Sequence, residues 1–246
     1  MVRKFEDKVV LITGAGSGIG RATSIKLAAL GAILALSDIQ SDALAETRNL
    51  CEGEKHTVSV FDVGSTDSSN KFIEEVMTQF GQIDHVFNCA GINPTSYPTE
   101  DVTDEYWNKL MNTNIKGVFN ITRASIPHLR TGASFVNVSS ILGISAGAEL
   151  ATYCATKHAI IGFSKCIALE LGPKGIRTNI IAPGYIDTPT NALVVSGADA
   201  VRAGSNNIAL GRFGTAEEIA DVVAFLFSDE SRYMNGSVVE INGGRR

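Results

Sequence analysis

Apolar residues along the chain fall into short runs separated by longer segments of helical period. Lys8-Val9-Val10-Leu11-Ile12-Thr13 is rich in β-branched residues and predicts a buried strand. Ala32 to Ser37, Thr57 to Phe61, Asp84 to Asn88, Ser134 to Ser139, Arg177 to Ala182 and Ser237 to Ile241 read the same way. Their nearly continuous apolar character, without strict alternation, suits parallel strands covered on both faces. Ala159, Phe163, Ile167 and Leu171 recur every fourth residue and predict one stripe of a helix from about Thr152 to Leu171. A second long helix is expected over about Thr103 to Arg130. Thr215 and Glu218 have capping-box spacing and open a helix running through Phe227. Gly31 and Gly172-Pro173 supply helix stops. Strand and helix alternate throughout. This predicts an α/β, Rossmann-like doubly wound fold: a seven-stranded parallel sheet flanked by helices on both faces. No linker or repeat divides residues 1–246, so a single domain is expected. The irregular stretch at about 188–213 is expected to be a lid over a ligand site.

Composition narrows the partners. The chain has 246 residues, 21 basic against 26 acidic, a net charge of −5 and no basic block. Nucleic acid is therefore not an expected partner. No run of about 18 apolar residues predicts a membrane span. Cys51, Cys89, Cys154 and Cys166 lack CxxC spacing, which suits a reducing compartment, and a cytoplasmic location is expected. His56, His85, His128 and His158 are scattered, and no metal site is expected.

The first strand runs into Thr13-Gly14-Ala15-Gly16-Ser17-Gly18-Ile19-Gly20, followed by a helical segment. Glycine lets backbone approach a diphosphate closely. The helix N-terminus offers free N–H groups and a positive dipole end. Gly14, Ser17, Gly18, Ile19 and Gly20 are thus candidate binders of a dinucleotide. Asp38, 18 residues beyond Gly20, ends the second strand, where a carboxylate accepts from ribose hydroxyls and repels a 2′-phosphate. NAD is therefore favoured over NADP, although Arg21 and Arg48 lie near in sequence and a turn-forming role for Asp38 is the alternative. Ile39, Asp62 and Val63 are candidates for the adenosine end.

Tyr153 and Lys157 are four residues apart and share a helix face. A phenol of ordinary pKa about 10 is a poor base at neutral pH. An ammonium about 4 Å away contributes on the order of 4 kcal/mol at an effective dielectric of 20, or about three pKa units unless burial cancels it. Ser140, just past the fifth strand, stands at the carboxyl edge where open sheets bind ligands, with Ser139 as the competing assignment. Asn114 is a poor helix former inside a helical segment, with Asn112 as its alternative.

Thr13-Gly14-x-x-x-Gly18-x-Gly20, Asn88-Cys89-Ala90-Gly91, Asn114, Ser140, Tyr153-x-x-x-Lys157 and Pro183-Gly184 occur in the order found in the short-chain dehydrogenase/reductase family. The resemblance spans Lys8 to Gly244. Cys89 departs from it, standing where the family usually has Asn or Ala. It implies Asn114, Ser140, Tyr153 and Lys157 as catalytic residues, with Asn114 holding a water that links the lysine to solvent. It adds Asn88, Ala90, Gly91, Pro183, Gly184, Ile186 and Thr188, with Tyr153 and Lys157, to the cofactor-binding set. It also implies a homotetramer or homodimer, paired through the two long helices and the last helix and strand.

The resulting expectation is an NAD-dependent alcohol dehydrogenase or carbonyl reductase acting on a neutral or weakly polar small molecule. Two alternatives stand beside it: an epimerase, dehydratase or cyclase that uses bound nucleotide without net redox, and a nucleotide-sensing module. Expected substrate walls are Ile92 to Tyr97, Ile141 to Glu149, Tyr185 and the stretch from Thr190 to Arg212, including Leu193 and Val194. The terminal Arg245-Arg246 pair suggests an open rim.

Overall fold

The computed structural model describes residues 4–192, 195 and 197–244. Leu193, Val194 and Arg245-Arg246 lie outside these residues. Elements follow in the order β1 (Val9–Thr13), α1 (Gly18–Ala29), β2 (Ile33–Asp38), α2 (Ser41–Leu50), β3 (Thr57–Val60), α3 (Thr66–Phe80) and β4 (Ile83–Asn88). Then come α4 (Asp104–Leu110), α5 (Gly117–Ser125), β5 (Leu129–Val138), α6 (Ala151–Leu171) and β6 (Arg177–Pro183). The chain closes with β7 (Ile186–Asp187), α7 (Pro189–Ala192), α8 (Ala198–Asn206), β8 (Gly214–Thr215), α9 (Ala216–Phe227) and β9 (Val238–Ile241).

Seven strands form one sheet in the order β3-β2-β1-β4-β5-β6-β9, all parallel. The strand order reverses at β1, so a crevice opens above the carboxyl ends of β1 and β4. The continuous apolar runs are explained by burial on both faces. Within β1, Val10 and Ile12 join a core with Leu27 of α1 and Ile219 and Val223 of α9. Val9 and Leu11 join the opposite core with Phe72 of α3, Ile121 of α5 and Ile167 of α6. Among the described residues no helix is long and apolar enough to cross a membrane.

Three expectations need correction. The helix expected over Thr103 to Arg130 is broken: α4 passes into a π-helical stretch, Met111–Lys116, and α5 ends at Ser125. Pro127 lies in the short 3₁₀ turn Ile126–His128, and Arg130 already belongs to β5. Regular pairing of β5 begins only where His85 meets Ser134, after a register shift, which is why its first residues lack a strand pattern. On α6 the buried face runs through Tyr153, Thr156, Lys157, Ile160, Ser164, Ile167, Ala168 and Leu171. Ala159 is exposed, so the fourfold stripe is offset from the buried one. Polar residues on the buried face hide it from a hydrophobicity pattern. The stretch at about 188–213 contains α7 and α8 and is not irregular throughout. The capping box at Thr215 and Glu218 forms as expected.

A buried polar chain crosses the middle of the molecule. Asn88 Nδ2 donates to Asn137 Oδ1 at 2.8 Å, and Asn137 Nδ2 donates to Ser164 Oγ at 2.8 Å, joining β4, β5 and α6. Replacing Asn137 strands two buried groups at once. Asn137→Ala should lower unfolding free energy by about 2–3 kcal/mol, measured by urea denaturation.

Candidate active site

The crevice is a cleft of about 630 Å³. One half is built by the loop between β1 and α1. Thr13 Oγ1 accepts from the N–H groups of Cys89 and Ala90 at 3.2 and 3.1 Å, which binds that loop to the one after β4. Gly14 has φ of +67°, and a Cβ there would stand 2.8 Å from the Ala90 backbone. A Cβ at Gly20 would strike the Gly14 carbonyl. Ser17 caps α1 without a side-chain hydrogen bond, and no acid stands in the first turn, so the helix end presents backbone donors to the cleft. A narrow, glycine-walled recess beside a helix N-terminus fits a dinucleotide diphosphate.

Asp38 faces the same recess. Its Oδ2 accepts from Gly16 N–H at 2.8 Å and its Oδ1 from Gln40 N–H at 3.0 Å. The turn-forming role is therefore filled, and a carboxylate that accepts these two bonds can accept more. The nearby cations are engaged elsewhere. Arg21 donates to the carbonyls of Gly16 and Ala43, to Thr47 Oγ1 and to Glu46. Arg48 donates to the carbonyls of Glu54 and His56. Ile39, Asp62 and Val63 continue the lining, and Ser17, Gly18, Ile19, Ala90, Gly91, Pro183, Gly184, Ile186 and Thr188 all belong to it.

At the other end, Tyr153 and Lys157 project from α6, both less than a tenth exposed. The Ser140 hydroxyl stands on the same cleft wall as the Tyr153 phenol and favours its ionised form, while its Oγ accepts from Leu142 N–H at 3.2 Å. Ser139 instead donates to the Lys157 carbonyl at 2.8 Å, which separates two serines that strand alternation leaves equivalent. Lys157 Nζ donates to the Val138 carbonyl at 3.0 Å and stands 5.6 Å from the centre of the Tyr153 ring. Burial pushes the Tyr153 phenol up to about 12 and the Lys157 ammonium down to about 8. The three-unit lowering of the phenol suggested by the spacing is therefore not realised: desolvation raises it, and the Ser140 hydroxyl opposes this only in part.

Two sequence candidates stand behind the lining. Asn114 is fully buried in the π-helical stretch, whereas Asn112 is exposed. Asn114 Oδ1 accepts from Ile92 N–H at 2.7 Å, and its Nδ2 donates to the Ile92 carbonyl at 3.0 Å and to Thr156 at 3.3 Å. Asn88 points into the polar chain beneath β4 and donates also to Thr122. Sequence reasoning missed Gln40, Phe61, Lys109, Thr113 and Leu150 as lining residues. Lys109 and Thr113 share a helix face, but which face meets the sheet edge is not written in their spacing. Cys89 lines the cleft too, and burial raises its thiol to about 12. Of the expected substrate walls, Ile92, Asn93, Pro94, Ile141, Leu142, Gly147, Tyr185 and Asn191 line it, while Tyr97 and Glu149 do not.

Comparison with known proteins agrees with this geometry. The family model described as enoyl-(acyl carrier protein) reductase matches residues 14–246. The 3-oxoacyl-[acyl-carrier-protein] reductase FabG of Thermotoga maritima is 39% identical over 98% of each chain. Levodione reductase of Leifsonia aquatica is 37% identical, covering 98% of this chain and 95% of its own. The solved structure of a short-chain dehydrogenase from Burkholderia cenocepacia in complex with NADP superposes with a TM-score of 0.89, at 31% identity and 98% coverage of both chains. With this fold, these motifs in this order and full-length relatives, the chain belongs to the short-chain dehydrogenase/reductase family of oxidoreductases.

Proposed function

We propose that the protein is a single-domain, NAD-dependent alcohol dehydrogenase or carbonyl reductase acting on a neutral or weakly polar alcohol or ketone. The observation that carries this reading is that Ser140, Tyr153 and Lys157 line one end of a cleft whose other end is a glycine cradle. When bound, the nicotinamide supplies or accepts the hydride. The protein's own groups orient the substrate and move the proton. Ser140 holds the substrate oxygen against Tyr153, and Tyr153 gives its phenolic proton to that oxygen in reduction or takes the proton in oxidation. A phenol pushed up by burial is protonated at neutral pH, the form that reduction needs. Lys157, buried and aimed at the cleft, holds the ribose hydroxyls and brings positive charge towards the phenol. Asn114 positions Ile92 and, through Thr156, the turn of α6 between Tyr153 and Lys157.

NAD is favoured because Asp38 faces the adenosine end while Arg21 and Arg48 are held by protein partners. A 2′-phosphate would meet a carboxylate while those two cations are already engaged by protein groups. The NADP-bound Burkholderia structure makes cofactor choice a direct test. Pairing of copies is proposed across α5 and α6, where Phe119 and Leu169 are exposed.

Tyr153→Phe should lower kcat at least 10²-fold while leaving dinucleotide affinity within about threefold, read by steady-state kinetics and fluorescence titration. Asp38→Ser should shift the NAD-to-NADP affinity ratio towards NADP by about tenfold or more, read by the same titration. Lys157 also leaves a signature in stability. Its folded pKa of about 8 lies below the unfolded value near 10.5. Between those values the unfolded chain holds a proton that the folded chain has released, so stability rises with pH there. Wild type should gain stability relative to Lys157→Met from about pH 8 to 10, measured by urea unfolding.

A further inference from the structure

Two loops wall the end of the cleft that holds Ser140 and Tyr153. Ile92, Asn93 and Pro94 come from the loop after β4; Ile141, Leu142, Gly147 and Leu150 come from the loop before α6. No strand pairing joins these loops among the described residues. They meet instead in a hydrogen bond from Tyr97 N–H to the Glu149 carbonyl, at 3.0 Å.

Both partners of this bond are held from behind. The Tyr97 ring packs edge-on against Tyr106 of α4, with centroids 5.0 Å apart. The Tyr106 hydroxyl accepts from Thr95 N–H at 2.9 Å and donates to the Thr95 carbonyl at 3.1 Å. Asn114 grips the other end of the loop through both backbone groups of Ile92. Across the gap, Glu149 has φ of +63°, in the left-handed region that residues other than glycine seldom occupy. Its side chain is exposed, so the unusual backbone is not explained by burial of the carboxylate. What this conformation accompanies is a carbonyl aimed at Tyr97. Such backbone persists where surrounding contacts over-determine it, commonly beside ligands.

We infer that the Tyr97–Glu149 hydrogen bond, backed by the Tyr97–Tyr106 ring pair, is a latch that fixes the spacing of the two substrate walls and selects compact substrates over extended ones. This rests on the dehydrogenase reading above. With the walls tied, the space beside Ser140 and Tyr153 takes a carbonyl on a single small ring, flanked by Ile92, Pro94, Leu142 and Leu150. A long linear acyl chain that must leave between the walls requires the latch to open. Tyr97 and Glu149 therefore act as specificity-determining residues without lining the cleft.

The test pairs amide hydrogen exchange with kinetics on the full chain. In wild type, the residue-97 amide should be protected, and kcat/KM for a six-membered-ring ketone should exceed that for a twelve-carbon linear 3-oxoacyl thioester by about tenfold or more. Tyr97→Ala and the milder Tyr106→Phe should both reduce that protection. Both should also move the substrate ratio towards the linear thioester, by about tenfold for Tyr97→Ala. The pH dependence of kcat should keep its shape, because the proton-carrying pair is untouched. An unprotected residue-97 amide in wild type, a preference for the linear thioester, or a ratio that stays constant when protection is lost would overturn the latch. A wild type inert towards every carbonyl would instead overturn the dehydrogenase reading, and the size selection with it; the exchange measurement, which needs no turnover, separates the two failures.

Discussion

Everything at the active end depends on how α6 is docked onto β5. Three polar contacts hold it: Asn137 to Ser164, Ser139 to the Lys157 carbonyl, and Lys157 Nζ to the Val138 carbonyl. Each runs between β5, or the residue just after it on the way to Ser140, and the helix that carries Tyr153. Hydrophobic packing through Ile167 and Leu171 brings the two elements together but is tolerant of sliding. Directional bonds in a buried setting set the register of one against the other, and a Ser140–Tyr153 contact needs that register.

The same burial creates the electrostatic problem that the site has to solve. A lysine enclosed this deeply loses much of its preference for charge, and a phenol enclosed beside it resists giving up its proton. A simple picture in which an ammonium activates its neighbour describes only one of the two opposing forces. Desolvation is the larger. The phenol that results holds its proton at neutral pH, and added positive charge in the cleft would favour deprotonation of the phenol and of the ammonium alike.

Much of the fold was legible because burial on two faces leaves a strong trace. Strands such as Val9–Thr13 and Arg177–Pro183 are apolar nearly throughout, and their alternate residues turn out to serve different cores. Helices were legible where their ends are chemically marked, as at Thr215 and Glu218. They are less legible where the buried face is polar: α6 hides Thr156, Lys157 and Ser164 against the sheet, so the buried face is wider than its apolar stripe and offset from it. The π-helical turn around Asn114 left only the weak sign of a poor helix former in a helical segment.

The sequence by itself determined which residues could carry the chemistry: the glycine spacing after β1, Tyr153 one turn before Lys157, and a carboxylate at the end of β2. These are local matters of backbone freedom and helical period, and they survive without coordinates. Tertiary structure alone decided that Ser139 is taken up by the Lys157 carbonyl, that Arg21 and Arg48 find partners other than Asp38, and that Tyr97 reaches Glu149 across 52 residues. Those outcomes depend on the distance and direction between groups far apart in the chain, which are set only when helices and strands pack and which no local pattern encodes.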